Sequence, residues 1–224
     1  VLNASPEQLT AWKGHAVATN LQWAKKLKIP QSVAVTCIKP SGTVSQLTGV
    51  AGSGLHPSFG RWYIRRVRQD KKDPLNTALI EAGIPFDEDP YNPEALVFSF
   101  AVKAPGNSIT KDKVDAISHL ETWKKFAVHW CEHKPSVTIY VAEDEWLRVG
   151  SWCYDNFDIL SGVSFLPKAD DSHVYQLPPY EEMSASEYAK FPKPKKIDWL
   201  SVKEEEDNTT GSQELACTGD ACEI

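Results

Sequence analysis

The chain has 224 residues, 42% hydrophobic and 24% charged, with eight tryptophans and a formal net charge of −6. That composition supports a globular fold with a sizeable core, offers no apolar run long enough to span a membrane, and shows no basic-then-apolar leader. The negative balance argues against a general nucleic-acid binder, so any basic site must be local. Five cysteines (Cys37, Cys131, Cys153, Cys217 and Cys222) are an odd number, and three lie inside apolar patterns. This is not a secreted disulfide framework, and it implies a reducing cytoplasm. The chain opens on Val rather than Met, and a helix starts almost at once, as in a piece of a longer protein.

Ser5-Pro6-Glu7-Gln8 combines an N-cap serine, proline at the first helical position and an acid in the first turn. It predicts a helix to about Leu27, with Leu9, Trp12, Val17, Leu21 and Ala24 at helical spacing and Ile29-Pro30 as its stop. Ser32 to Ile38 is β-branched and reads as a strand buried on both faces. Thr43 to Val50 can start a short helix before glycines 49, 52 and 54 break it. Then follow an extended stretch (Trp62 to Arg68), a helix (Pro74 to Ala82), a buried strand (Leu96 to Val102) and a long helix capped by Thr110 and running to about His133. Ser136 to Val141 is a strand, Asp144 to Asn156 a helix and Gly162 to Leu166 a last strand. Alternating strands and helices predict an α/β architecture with parallel strands over residues 1–177. Residues 178–200 are charged and Pro-containing, a peripheral segment; residues 201–224 read as a flexible tail.

Three stretches carry chemistry. The first is VTCIKPSGTVSQL, where a β-branched run ends in Ser41, Gly42, Thr43, Val44 and Ser45. Glycine admits close approach of the backbone, successive N–H groups at a helix start favour an anion, and the hydroxyls add donors. The same residues also make an ordinary N-cap turn, since Ser and Thr are preferred there. A Walker loop is absent. The second is the basic run Arg61, Arg65, Arg66, Arg68, Lys71 and Lys72, which reads either as a solvated face or as an electropositive rim. The third is the terminus, where Cys217 and Cys222 flank Gly219. Two more ligands would be needed for zinc and none lies nearby, and a disulfide there would close only a tiny loop. A thiol pair on a mobile arm remains, able to visit a buried site and then meet an external reductant. His129 and His133 stand four apart on a predicted helix without a third ligand, and no metal site is expected.

Together these segments resemble the C-terminal portion of ribonucleotide reductases, most closely the monomeric adenosylcobalamin-dependent (class II) type acting on ribonucleoside triphosphates. The resemblance rests on VAVTCIKPSGTVSQL, GVAGSGLHPSFGRWYIRRVR, KPSVTIYVAEDEW, NFDILSGVSFLP and GSQELACTGDACEI. It implies the C-terminal part of a ten-stranded α/β barrel, with the N-terminal part of that barrel supplied from elsewhere. It also implies a loop over Ser41 to Ser45 that holds the substrate's phosphates. Cys217 and Cys222 would be the pair that re-reduces the active-site disulfide and is itself reduced by thioredoxin or a similar dithiol. Adenosylcobalamin would be bound by the complete enzyme. The radical cysteine of that family sits in Asn-x-Cys-x-Glu, which does not occur here, so the chain should be inactive alone. Cys37, Cys131 and Cys153 do not match it and read as structural, while His56, in Gly-Leu-His-Pro, receives no role. The rival readings are a class I large subunit and a non-catalytic nucleotide-phosphate-binding module with a thiol arm.

Overall fold

Ser5 Oγ accepts from the Gln8 N–H at 3.2 Å, and Gln8 Oε1 accepts from the Ser5 N–H at 3.0 Å. With Pro6 in the first turn, this reciprocal box starts the first helix where the sequence places it. A computed structural model describes residues 3–41, 45, 52–168 and 176–203. In chain order its main elements are α1 (Pro6–Leu27), β1 (Trp62–Asp70), α2 (Leu75–Glu81), β2 (Phe86–Glu88), β3 (Ala95–Lys103), α3 (Ala116–His129), β4 (Val137–Val141), α4 (Trp146–Asp155), β5 (Val163–Pro167), β6 (Tyr180–Glu182) and α5 (Ala185–Lys190). They divide between two compact units, Val1–Ser58 with Pro105–Ala169, and Phe59–Ala104 with Asp170–Ile224.

In the first unit β4 and β5 pair in parallel, Val137 opposite Val163, with α4 as the crossover. Parallel neighbours need such a crossover because a tight turn cannot reverse the chain twice. Val137, Ile139 and Val141 alternate inward and pack with Leu120, Trp123 and Phe126 of α3. Trp123 is fully buried, and its indole N–H donates to the Pro135 carbonyl at 3.2 Å, so its one polar atom is satisfied. Gly162 takes φ +58 between α4 and β5; a Cβ there would lie 2.6 Å from the Pro135 carbonyl oxygen, which reserves the position for glycine.

The second unit is an antiparallel sheet in the order β2-β3-β1-β6. Its apolar cluster joins Phe98 of β3 to Leu79, Ala82 and Ile84 on and after α2.

Several expectations change. Only one strand pair among the described residues is parallel, and the larger sheet is antiparallel, so the class is mixed α/β. Ser32 to Ile38 belongs to no strand, and Val33 is fully exposed. Its backbone instead bonds to the end of α3: Glu132 Oε2 accepts from the Val35 N–H at 2.9 Å and the Thr36 N–H at 3.3 Å, and the Thr36 carbonyl accepts from the Glu132 N–H at 2.9 Å. The long helix starts at Ala116, not after Thr110, because Asp115 caps the Ser118 N–H at 2.9 Å while a single 3-10 turn occupies Lys111–Lys113. On α1 only Leu9 and Ala24 are buried, whereas Trp12 and Leu21, at the same helical spacing, are exposed.

Candidate functional site

Ser41 and Ser45 are the described members of the loop; Gly42, Thr43 and Val44 lie outside the described residues, as do Cys217 and Cys222. The Ser41 side chain accepts from the Ser45 N–H at 3.1 Å. The Ser41 N–H is taken by the Ser53 hydroxyl oxygen at 2.6 Å, and the two hydroxyls lie 3.4 Å apart. Ser45 is buried.

The return stretch Gly52 to Ser58 is fitted against the segment leading into the loop. Gly54 has φ +60, and a Cβ on it would stand 3.0 Å from the Lys39 carbonyl oxygen; a Cβ on Gly52 would meet the His56 carbonyl at 2.3 Å. Gly-Ser-Gly is thus a packing requirement as much as a turn signal. Lys39 Nζ donates to Ser136 Oγ at 2.8 Å, tying the approach to the loop to the start of β4.

His56 occupies the centre of this cluster. Its Nδ1 lies 2.9 Å from the Ser53 carbonyl, and its Nε2 accepts from the Thr138 N–H at 2.9 Å. Behind it, the buried His119 of α3 places Nε2 2.9 Å from the Leu55 carbonyl, with the two imidazoles edge to face at 6.4 Å. Burial holds His119 below its ordinary pKa, against the opposing pull of the Leu55 carbonyl. The sequence had given His56 no role. Its only signal there was its place in Gly-Leu-His-Pro, because its partners are brought from β4 and α3 by tertiary structure.

Most of the basic run is engaged rather than solvated, although Lys71 and Lys72 are exposed. Arg66 is buried in β1 and pairs with Glu181 at 2.6 Å while donating to the Pro178 carbonyl at 3.1 Å. Arg68 pairs with Asp89 at 2.8 Å, Lys71 with Glu88 at 3.2 Å, and Arg65 lies 4.5 Å from the centroid of the Tyr180 ring. Arg61 donates to the Ala104 carbonyl. Arg65, Arg66 and Arg68 also fasten the sheet edge to residues 177–181, where Arg65 donates to the Pro179 carbonyl at 3.3 Å and Arg68 to the Leu177 carbonyl at 3.1 Å.

The remaining thiols fit a structural role. Burial raises the pKa of both Cys131 and Cys153, which keeps them protonated and poorly nucleophilic. Cys37 is half-buried, with its sulfur 3.6 Å from the His133 carbonyl. His129 Nδ1 meets Thr10 Oγ1 at 3.2 Å and His133 is exposed. Among the described residues no group of three or more His, Cys, Asp or Glu is placed to hold a metal, and no helix is long and apolar enough to cross a membrane.

The fold and this cluster define a class of enzyme architecture: the chain superposes on a B12-dependent (class II) ribonucleotide reductase with a TM-score of 0.69 and 26% identity, covering 83% of this chain and 26% of that one. No family model matches the chain. Among curated relatives, the "Probable adenosylcobalamin-dependent ribonucleoside-triphosphate reductase" of Dictyostelium discoideum is 31% identical over 172 residues, 75% of this chain and 22% of the relative. The adenosylcobalamin-dependent ribonucleoside-triphosphate reductase of Lactobacillus delbrueckii subsp. bulgaricus is 30% identical over 78% of this chain and 24% of its own length. That of Euglena gracilis is 27% identical over 99% of this chain and 31% of its own. The chain is thus homologous to a segment of the adenosylcobalamin-dependent ribonucleotide reductases, and spans roughly a quarter of the length of the relatives it matches.

Proposed function

We propose that this chain is the substrate-phosphate and thiol-shuttle portion of an adenosylcobalamin-dependent ribonucleotide reductase, converting ribonucleoside triphosphates to 2′-deoxyribonucleotides in the cytoplasm. The observation that carries this is the likeness to named reductases along three quarters of the chain. Residues 1–177 would contribute to the ten-stranded barrel and residues 201–224 would form its mobile thiol arm. The exposed Trp12, Leu21, Trp23 and Leu27 of α1 support a partner surface of this kind, the N-terminal remainder of the same barrel.

Within that reading each part of the chain has a task. Ser41 to Ser45 and their backbone N–H groups hold the polyphosphate, which fixes the ribose at the reacting centre by binding energy remote from the chemistry. The reduction replaces the ribose 2′ hydroxyl by hydrogen: two thiols become a disulfide, and their two electrons and two protons leave as the new C–H bond and in the water formed. Cys217 and Cys222 would restore that dithiol by exchange and pass the disulfide to thioredoxin or a similar dithiol.

Adenosylcobalamin supplies radical initiation in the relatives' chemistry. It would be bound by the complete enzyme. A class I large subunit is not favoured, since the relatives are named for adenosylcobalamin. The test is anaerobic ribonucleotide reduction by the protein that carries this chain. Turnover of ribonucleoside triphosphates only with adenosylcobalamin is expected; turnover that needs a second, metal-bearing subunit would overturn the class, and none under either condition would overturn the activity.

A further inference from the structure

The two hydrogen bonds of His56 determine its protonation. A backbone N–H can only donate, so the Thr138 N–H, 2.9 Å from Nε2, requires a lone pair on that nitrogen. The ring proton then resides on Nδ1 and points at the Ser53 carbonyl, 2.9 Å away, which can only accept. His119 has the opposite arrangement, with its proton on Nε2 facing the Leu55 carbonyl. His56 is therefore a neutral ring of fixed tautomer bridging two backbone groups.

The location of those groups gives the bridge a purpose. Val137 donates its N–H to the Gly162 carbonyl on the β5 side. Successive residues of a strand point their N–H groups to opposite edges, so the Thr138 N–H faces the other edge of β4. His56 occupies that edge in place of a neighbouring strand's carbonyl. On its other side it fixes Ser53, whose hydroxyl accepts from the Ser41 N–H at 2.6 Å. A continuous chain of short contacts thus runs from a core strand through His56 and Ser53 to the first residue of the loop.

We infer that His56 is a positioning residue for substrate polyphosphate: its Nδ1–H tautomer anchors Ser53 to β4 and thereby sets the placement of Ser41, the first residue of the loop. This rests on the reading of Ser41 to Ser45 as the phosphate loop. Two measurements test it.

The first is the long-range proton–nitrogen NMR spectrum of the histidines in the chain, which distinguishes a protonated Nδ1 from a protonated Nε2. Protonated Nδ1 with unprotonated Nε2 at His56 is expected; the reverse, or a doubly protonated ring at neutral pH, overturns the inference.

The second is the steady-state kinetics of the complete reductase with ribonucleoside triphosphate. His56→Ala should raise KM on the order of tenfold, the loss of about one positioning hydrogen bond, with kcat little changed. His56→Gln, whose carbonyl can still accept from Thr138, should recover part of that. Ser53→Ala should raise KM similarly, and the double variant should be little worse than either single one, because both act on one chain of contacts. Effects that multiply, or a fall in kcat at constant KM, would refute the positioning role. If Ser41→Ala and Ser45→Ala leave KM unchanged as well, the phosphate reading of the loop is what has failed. A KM that responds to Ser41 and not to His56 refutes the inference alone.

Discussion

Glu145 offers a direct test of how the first unit is held together. It is 8% exposed, and its two carboxylate oxygens accept from two backbone donors, Ala116 N–H at 3.0 Å and Ala142 N–H at 2.9 Å. Ala116 is the first residue of α3 and is fully buried, so its N–H has no water to turn to. Glu145→Ala removes both acceptors. Hydrogen bonds to a charged group contribute about 1.5–3 kcal/mol each, about 3–6 in sum, and relief of the buried carboxylate's desolvation offsets part of this. The expected net loss is about 2–4 kcal/mol, or about 4–16 °C in Tm for a chain of this size. Glu145→Gln keeps one acceptor oxygen and should lose about half as much. Urea unfolding reads the effect as a lower midpoint at unchanged m. A midpoint for Glu145→Ala within about 0.5 kcal/mol of the parent would show that α3 does not depend on this cap.

Acid should weaken the first unit through His119. Its folded pKa lies below the ordinary 6.5, so its contribution is complete above that value and is lost as pH falls through it toward the folded value. Melting from about pH 7.5 to about pH 5.5 should show this slope, and His119→Gln should flatten it; an equal slope in both proteins would assign it elsewhere. Gly162→Ala should cost at least about 1–2 kcal/mol from the left-handed backbone alone, with the clash against the Pro135 carbonyl added. Chemical denaturation checks it, and a neutral result would mean the turn can relax. In the complete reductase, Cys217→Ser should abolish multiple turnover with thioredoxin and leave a single turnover from pre-reduced enzyme; equal loss of both would make the pair structural.

The local elements were legible because their causes are local. The Ser5-Pro6-Glu7-Gln8 start of α1, the alternation in Val137 to Val141 and the helical spacing in α3 need only neighbouring residues to be read. The motifs of the loop and terminus likewise sufficed for the family resemblance. Reading Ser32 to Ile38 as a strand failed because β-branching states a preference, whereas a strand is defined by its ladder, and here Glu132 supplies the acceptor to the backbone. The basic run was undecidable for a similar reason: Asp89 and Glu181, which neutralise Arg68 and Arg66, lie far along the chain.

The sequence by itself determined α1 to α4, most of the strands and the kinship of this chain. Tertiary structure alone decided which polar groups meet. His56 finds Thr138 across 82 positions and Ser41 finds Ser53 across 12. Such pairs carry no periodic signature. They exist because burial of the α3 and β4 core brings the segments together and because each buried backbone donor must then find an acceptor.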